Sequence, residues 1–127
     1  MRKEVENWWE QAKDDLDSAI QNLTIKKYHL VVFLCQQSVE KGLKAVYIHQ
    51  KELSPGTTNS LIFLASEIKL PSEHFKFLRE LTPQFVNTRY PDAAYGLPKD
   101  LYDEEIAQEY LKKTKEVFKW LKLQIEK

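Results

Sequence analysis

Arg89 is the residue around which a binding chemistry can be built. It opens the run Arg89-Tyr90-Pro91-Asp92, and Tyr95 follows shortly after. A guanidinium is a rigid planar fork of donors that suits phosphate oxygens. Tyrosine rings offer faces on which a base can stack. A second polar set lies far upstream, in Gln36, Gln37, Glu40, Lys41 and Lys44. Side chains three and four apart share a helix face, so Gln37, Glu40, Lys41 and Lys44 can form one polar stripe. Two readings of these groups stay open. In the first, Arg89 binds phosphate, Lys41 and Lys44 add cations, Tyr90 and Tyr95 stack, and Gln37 and Glu40 support the site. In the second, Glu40 pairs with Arg89 and pins its loop, the lysines are a solvated face and the tyrosines are packing. His29, His49 and His74 lack the clustered His, Cys and carboxylate spacing of a metal site, and read as surface or helix-terminal residues. No metal and no cofactor is expected.

The elements that must position these residues are helices. Val5, Trp8, Trp9, Ala12, Leu16, Ala19, Ile20 and Leu23 recur at helical steps, predicting a first helix over about Lys3 to Leu23. Of the adjacent tryptophans, one is expected in the core and the other against a neighbouring surface, where it would suit an interface. A second helix runs from about Tyr28 to Gln50. It is apolar around more of its circumference, with Val32, Cys35, Val39, Leu43 and Val46 opposite the polar stripe, so it is expected at the centre. Gly42 inside it suggests close approach of another helix. Leu53-Ser54-Pro55-Gly56-Thr57 marks a turn. A third helix is predicted over Thr58 to Ile68, capped by Thr57 or Thr58. A fourth is predicted over Glu73 to Val86, with Pro83 placed to kink or shorten it. Asn87 to Tyr102, with two prolines, a glycine and three tyrosines, reads as an ordered aromatic loop of the kind that often carries function. Asp103 is the expected cap of a last helix whose stripe is Ile106, Tyr110, Leu111, Thr114, Val117, Phe118, Leu121 and Ile125. No segment alternates like a strand. The fold class is therefore all-α, an up-and-down antiparallel bundle of about five helices, three of them long.

Composition narrows the function classes. The chain of 127 residues is expected to be one domain, 1–127, long enough for a core without disulfides. Cys35, the single cysteine, cannot form an intrachain disulfide and is expected buried and reduced. Nineteen basic and nineteen acidic side chains give no net charge, which argues against a strongly basic nucleic-acid-binding domain. The apolar run Leu30 to Cys35 is too short to span a bilayer, so no membrane partner is expected. With no apolar leader in the charged N-terminal stretch, the expected location is cytoplasmic.

Four features, in order, give the chain a family resemblance. They are Trp9-x-x-x-Lys13-Asp14-Asp15-Leu16-Asp17-x-Ala19; Tyr28 with Phe33-x-x-Gln36-Gln37-x-x-Glu40-Lys41-x-Leu43-Lys44-Ala45; Asn59-Ser60-Leu61-x-x-Leu64, where many relatives read His-Asp-Leu-x-x-Leu; and Asn87-Thr88-Arg89-Tyr90-Pro91-Asp92. Together they cover nearly the whole chain, and it resembles a HEPN domain (higher eukaryotes and prokaryotes nucleotide-binding). The resemblance implies a helical bundle that forms a homodimer and associates with a minimal nucleotidyltransferase, often in a two-gene toxin–antitoxin pair. It also implies nucleotide or RNA as a ligand, since many members are metal-independent ribonucleases with an Arg-x(4–6)-His motif. Arg89 matches that arginine, but no histidine follows it anywhere, and Tyr95 stands where one would be. A phenol that titrates near pH 10 is a poor base at neutrality. Three functions follow. The first is a non-catalytic nucleotide- or phosphate-binding module that partners a nucleotidyltransferase. The second is a ribonuclease with a degenerate set of Arg89, Asp92 and Tyr95. The third is a structural or regulatory homodimer in which Tyr95, or less readily Tyr90, accepts a modification.

Overall fold

Helix α2 (Tyr28–Lys51) is the axis of the fold in a computed structural model that describes residues 2–126. It packs along α1 (Lys3–Thr24) on one side and α7 (Glu104–Ile125) on the other. From Val31 to Ile48 it is enclosed around most of its circumference, and Val32, Cys35, Val39, Leu43 and Val46 are wholly buried. An apolar girdle that wide has no stable place except between other elements. A Cβ added at Gly42 would lie 2.8 Å from Leu121 Cδ1 of α7 and 3.6 Å from Trp9 Cζ3 of α1. The glycine thus seats both neighbours against the central helix.

The turn from α1 to α2 is short. Lys26 takes φ 62°, and Lys27 N–H bonds back to Asn22 O at 3.0 Å, closing the last turn of α1 and forcing the two helices antiparallel. Trp9 is buried against Phe118 with ring centroids 5.4 Å apart, whereas Trp8 is half-buried. Ile20, expected inside, is exposed on the outer edge of the α1 stripe.

The middle of the chain departs from the predicted helices. Helix α3 spans only Leu61–Glu67. Its cap is Ser60, whose hydroxyl accepts from Phe63 N–H at 3.1 Å, while Thr58 Oγ1 takes Ser60 N–H in a local turn. Thr57 and Thr58 therefore lie outside the helix, and the bond to Thr58 Oγ1 competes with helix formation there. A single 3-10 turn, Ser72–His74, leads into α4 (Phe75–Leu81). Pro83, with no N–H to donate, divides the predicted fourth helix, and α5 (Gln84–Asn87) begins after it. The aromatic segment contains two further turns of helix. These are α6 (Pro91–Ala94), with Pro91 at its first position, and a 3-10 turn at Pro98–Asp100. Asp103 caps α7 as expected, accepting from Ile106 N–H at 2.8 Å. Among the described residues there is no strand, and no helix is long and apolar enough to cross a membrane.

Candidate functional site

Arg89 sits in the turn between α5 and α6, and the chain around it is tightly tied. Thr88 is buried and its hydroxyl donates to Gln84 O at 2.6 Å. The N–H groups of Arg89 and Tyr90 both reach Val86 O, at 3.0 and 3.1 Å. Arg89 Nε then donates to Phe85 O at 2.7 Å, which fixes the direction of the side chain. Its Cζ lies 4.4 Å from the ring centroid of Phe85, 5.0 Å from Tyr90 and 5.2 Å from Phe33 on α2. The aromatic seat attracts the cation without neutralising it. None of the ion pairs among the described residues uses Arg89, and its guanidinium end remains exposed.

The arginine lines a shallow groove of about 330 Å³ with His29 and Leu30 from the first turn of α2 and Leu97, Pro98 and Lys99 from the second 3-10 turn. That volume is at the small end of the roughly 300–1,000 Å³ of ligand sites. No carboxylate lines it. Burial, and then the charge of Lys27, hold the His29 imidazole below its ordinary pKa.

The polar stripe of α2 is engaged elsewhere. Glu40, the partner of Arg89 in the second of the two readings, does not reach it. It accepts from Lys44 Nζ at 3.0 Å and from Gln36 Nε2 at 3.0 Å, and Gln37 Nε2 donates to Gln36 Oε1 at 2.7 Å. The physical reason is spacing: Gln36, Glu40 and Lys44 succeed one another one turn apart on α2, so the carboxylate finds both partners on its own helix. Lys44 Nζ also lies 5.3 Å from the Trp8 ring, and Lys41 Nζ bonds Asp15 on α1 at 2.6 Å. Both lysines thus bind α2 to α1 and do not line the Arg89 groove.

Of the remaining sequence candidates, Tyr90 is exposed beside Arg89, and Asp92 is exposed on α6. Tyr95 ends α6 in the left-handed region at φ 57°, with its side chain 96% exposed. None of Tyr90, Asp92 and Tyr95 lines the groove. The residues that sequence reasoning missed are His29, Phe33, Phe85 and Lys99. The four-residue step from His29 to Phe33 was a usable sign, since it puts both on one face of α2. Nothing in the sequence marks Lys99. Among the described residues no group of three His, Cys, Asp or Glu side chains could hold a metal ion. Cys35 lies in the core, where burial pushes its thiol up to about 12.

An all-α bundle packed around one central helix defines the class of protein. The profile of the HEPN domain matches residues 5–124, and the chain belongs to the HEPN domain family. Among solved structures, ST0689, an archaeal HEPN homologue, is 32% identical, with a TM-score of 0.81 over 98% of this chain and 99% of that one. The Thermus thermophilus protein TT1696 has the same fold, with a TM-score of 0.87 and 23% identity over 98% of this chain and all of that one. A comparison with curated proteins gives no match.

Proposed function

We propose that the chain is a non-catalytic HEPN module that binds a nucleotide through its phosphate at Arg89. As a homodimer it would partner a minimal nucleotidyltransferase in a toxin–antitoxin-like pair. The observation that carries the reading is the state of Arg89. Its Nε is anchored to Phe85 O, its charge is held over three rings, and it is in no ion pair among the described residues. A charged fork kept unneutralised at a groove without carboxylates suits an incoming anion, and the exposed Tyr90 beside it offers a stacking face. Lys41 and Lys44, already paired with Asp15 and Glu40, serve this reading only by holding α2 in place. The exposed Tyr95 is accessible to a partner enzyme. Isothermal titration with AMP tests the phosphate site: Arg89→Ala should weaken binding at least about tenfold, as expected for loss of a charge-assisted pair. Equal affinity in the two proteins would sink the reading. Co-expression with a minimal nucleotidyltransferase tests the partnership, by co-purification and by the mass of the Tyr95 peptide.

One observation favours a second reading, a metal-independent ribonuclease: His29, from α2, lines the groove that holds Arg89. Imidazole suits proton transfer near neutrality. RNA cleavage that is lost in both Arg89→Ala and His29→Gln would establish this reading, whereas equal residual cleavage in all three proteins would leave the module non-catalytic.

A further inference from the structure

We propose that His29, Arg89 and Lys99 form one anion site, and that it takes a doubly charged phosphate together with one proton, which His29 accepts. This rests on the nucleotide-binding reading and gives it two further residues and a proton.

The three side chains come from separate parts of the chain and converge on one concavity. Arg89 is aimed by its bond to Phe85 O. Lys99 is carried on a 3-10 turn whose Pro98 is buried, closed by Asp100 N–H to Leu97 O at 2.9 Å and Leu101 N–H to Pro98 O at 3.1 Å. His29 is carried on the long helix α2, fixed by the core behind it. The backbone that carries the three side chains is therefore set before a ligand arrives, and Arg89 is already aimed, which removes part of the ordering cost of binding.

Burial, and then the charge of Lys27, disfavour protonation of His29. Arg89 and Lys99, both positive, line the same groove. The nearby carboxylates Asp103 and Glu104, at the start of α7, act on the hydroxyl of Tyr28, and neither lines the groove. The free protein therefore disfavours imidazolium. A phosphate dianion reverses the field at the ring, and a proton drawn from solvent then lets His29 donate a third charge-assisted hydrogen bond. The sign follows by linkage. The His29 pKa is lowered in the free protein and raised in the complex, so affinity rises as pH falls through the complex's value. It levels off below the value of the free protein, and the gain is lost at higher pH.

The test uses the whole protein and two probes, AMP and inorganic sulfate. Sulfate keeps both charges over the range studied, whereas a phosphate monoester itself titrates near pH 6. Imidazole resonances are followed by NMR against pH with and without each probe, and His29→Gln identifies the His29 signal. The expected result is an upward move of the His29 midpoint with either probe while His49 and His74 stay in place. His29→Gln should weaken binding of sulfate, which stays doubly charged, roughly tenfold at about pH 5.5 and leave it unchanged at about pH 8. AMP binding that depends on Arg89 but leaves the His29 midpoint unmoved would overturn this inference and keep the nucleotide reading. Sulfate that moves His29 when AMP does not bind would support the anion site and overturn the nucleotide reading. No effect of either probe would overturn both.

Discussion

Glu40 and Lys44 show how much a single neighbour changes a residue's role. Both side chains are at most one-tenth exposed, and their 3.0 Å pair is completed by Gln36 on the same helix. A carboxylate in that setting must keep its cation, because removal of water from an unpaired charge costs several kcal/mol. Lys44→Ala should therefore destabilise the fold by about 3–5 kcal/mol in urea denaturation. The double variant Glu40→Leu/Lys44→Met should be far milder, since it leaves no charge behind. A Lys44→Ala loss below about 0.5 kcal/mol, the level of an ordinary surface change, would show that the pair is not enclosed. Arg89 is the contrary case: charged, exposed and, among the described residues, without a carboxylate partner. The sequence displays both residues equally plainly, and it cannot tell which of Arg89 and Lys44 reaches Glu40. The spacing between Glu40 and Lys44 favours the local pair, yet the Arg89 loop could equally have folded over that turn of α2.

At the level of elements, the long helices were legible because each announces itself by a repeating apolar stripe, and α2 by the width of its stripe. Their ends follow from Asp103 and from the turn at Lys26. The segment between α2 and α7 was less legible, because helices of one or two turns give too few repeats to fix a boundary. Pro83 pointed to the break correctly, whereas Thr57 and Thr58 misled, since Ser60 is the residue that caps. Gly42 is where the elements meet most closely. An alanine there would gain about 1 kcal/mol in helix propensity. It would also push a methyl to 2.8 Å from Leu121 Cδ1, the end of a wholly buried side chain that must shift within the core. Overpacking of this kind costs about 1–3 kcal/mol, so Gly42→Ala should lose about 1 kcal/mol net. Adding Leu121→Ala should cost less in the Gly42→Ala background than in the native protein, because the cavity accepts the methyl. A more stable Gly42→Ala would mean that α7 moves aside freely.

Over the whole molecule, the bundle is closed by a contact that no local pattern could reveal. Trp9, on α1, is almost fully buried, and its indole N–H donates to Glu126 Oε2 at 2.5 Å, just beyond the end of α7. Lys13 Nζ lies 3.4 Å from the same oxygen. Stacking of Trp9 on Phe118 brings the two helices together, and the carboxylate satisfies the one polar atom that this burial would otherwise strand. The Trp9 hydrogen bond, and then the charge of Lys13, hold the Glu126 carboxyl below its ordinary pKa. The folded protein then binds fewer protons than the unfolded chain in the acid range, so this contribution is full above the unfolded glutamate value of about 4.3 and is lost as pH falls through the lower folded one. Glu126→Gln keeps an acceptor for the indole but cannot titrate. Its melting temperature should consequently fall less steeply than that of the native protein between about pH 5 and about pH 3. Parallel curves would show that the carboxylate does not couple to folding. Glu126→Ala at neutral pH strands the indole N–H and should cost about 1–2 kcal/mol, with a change in tryptophan fluorescence reporting the loosened junction of α1 and α7.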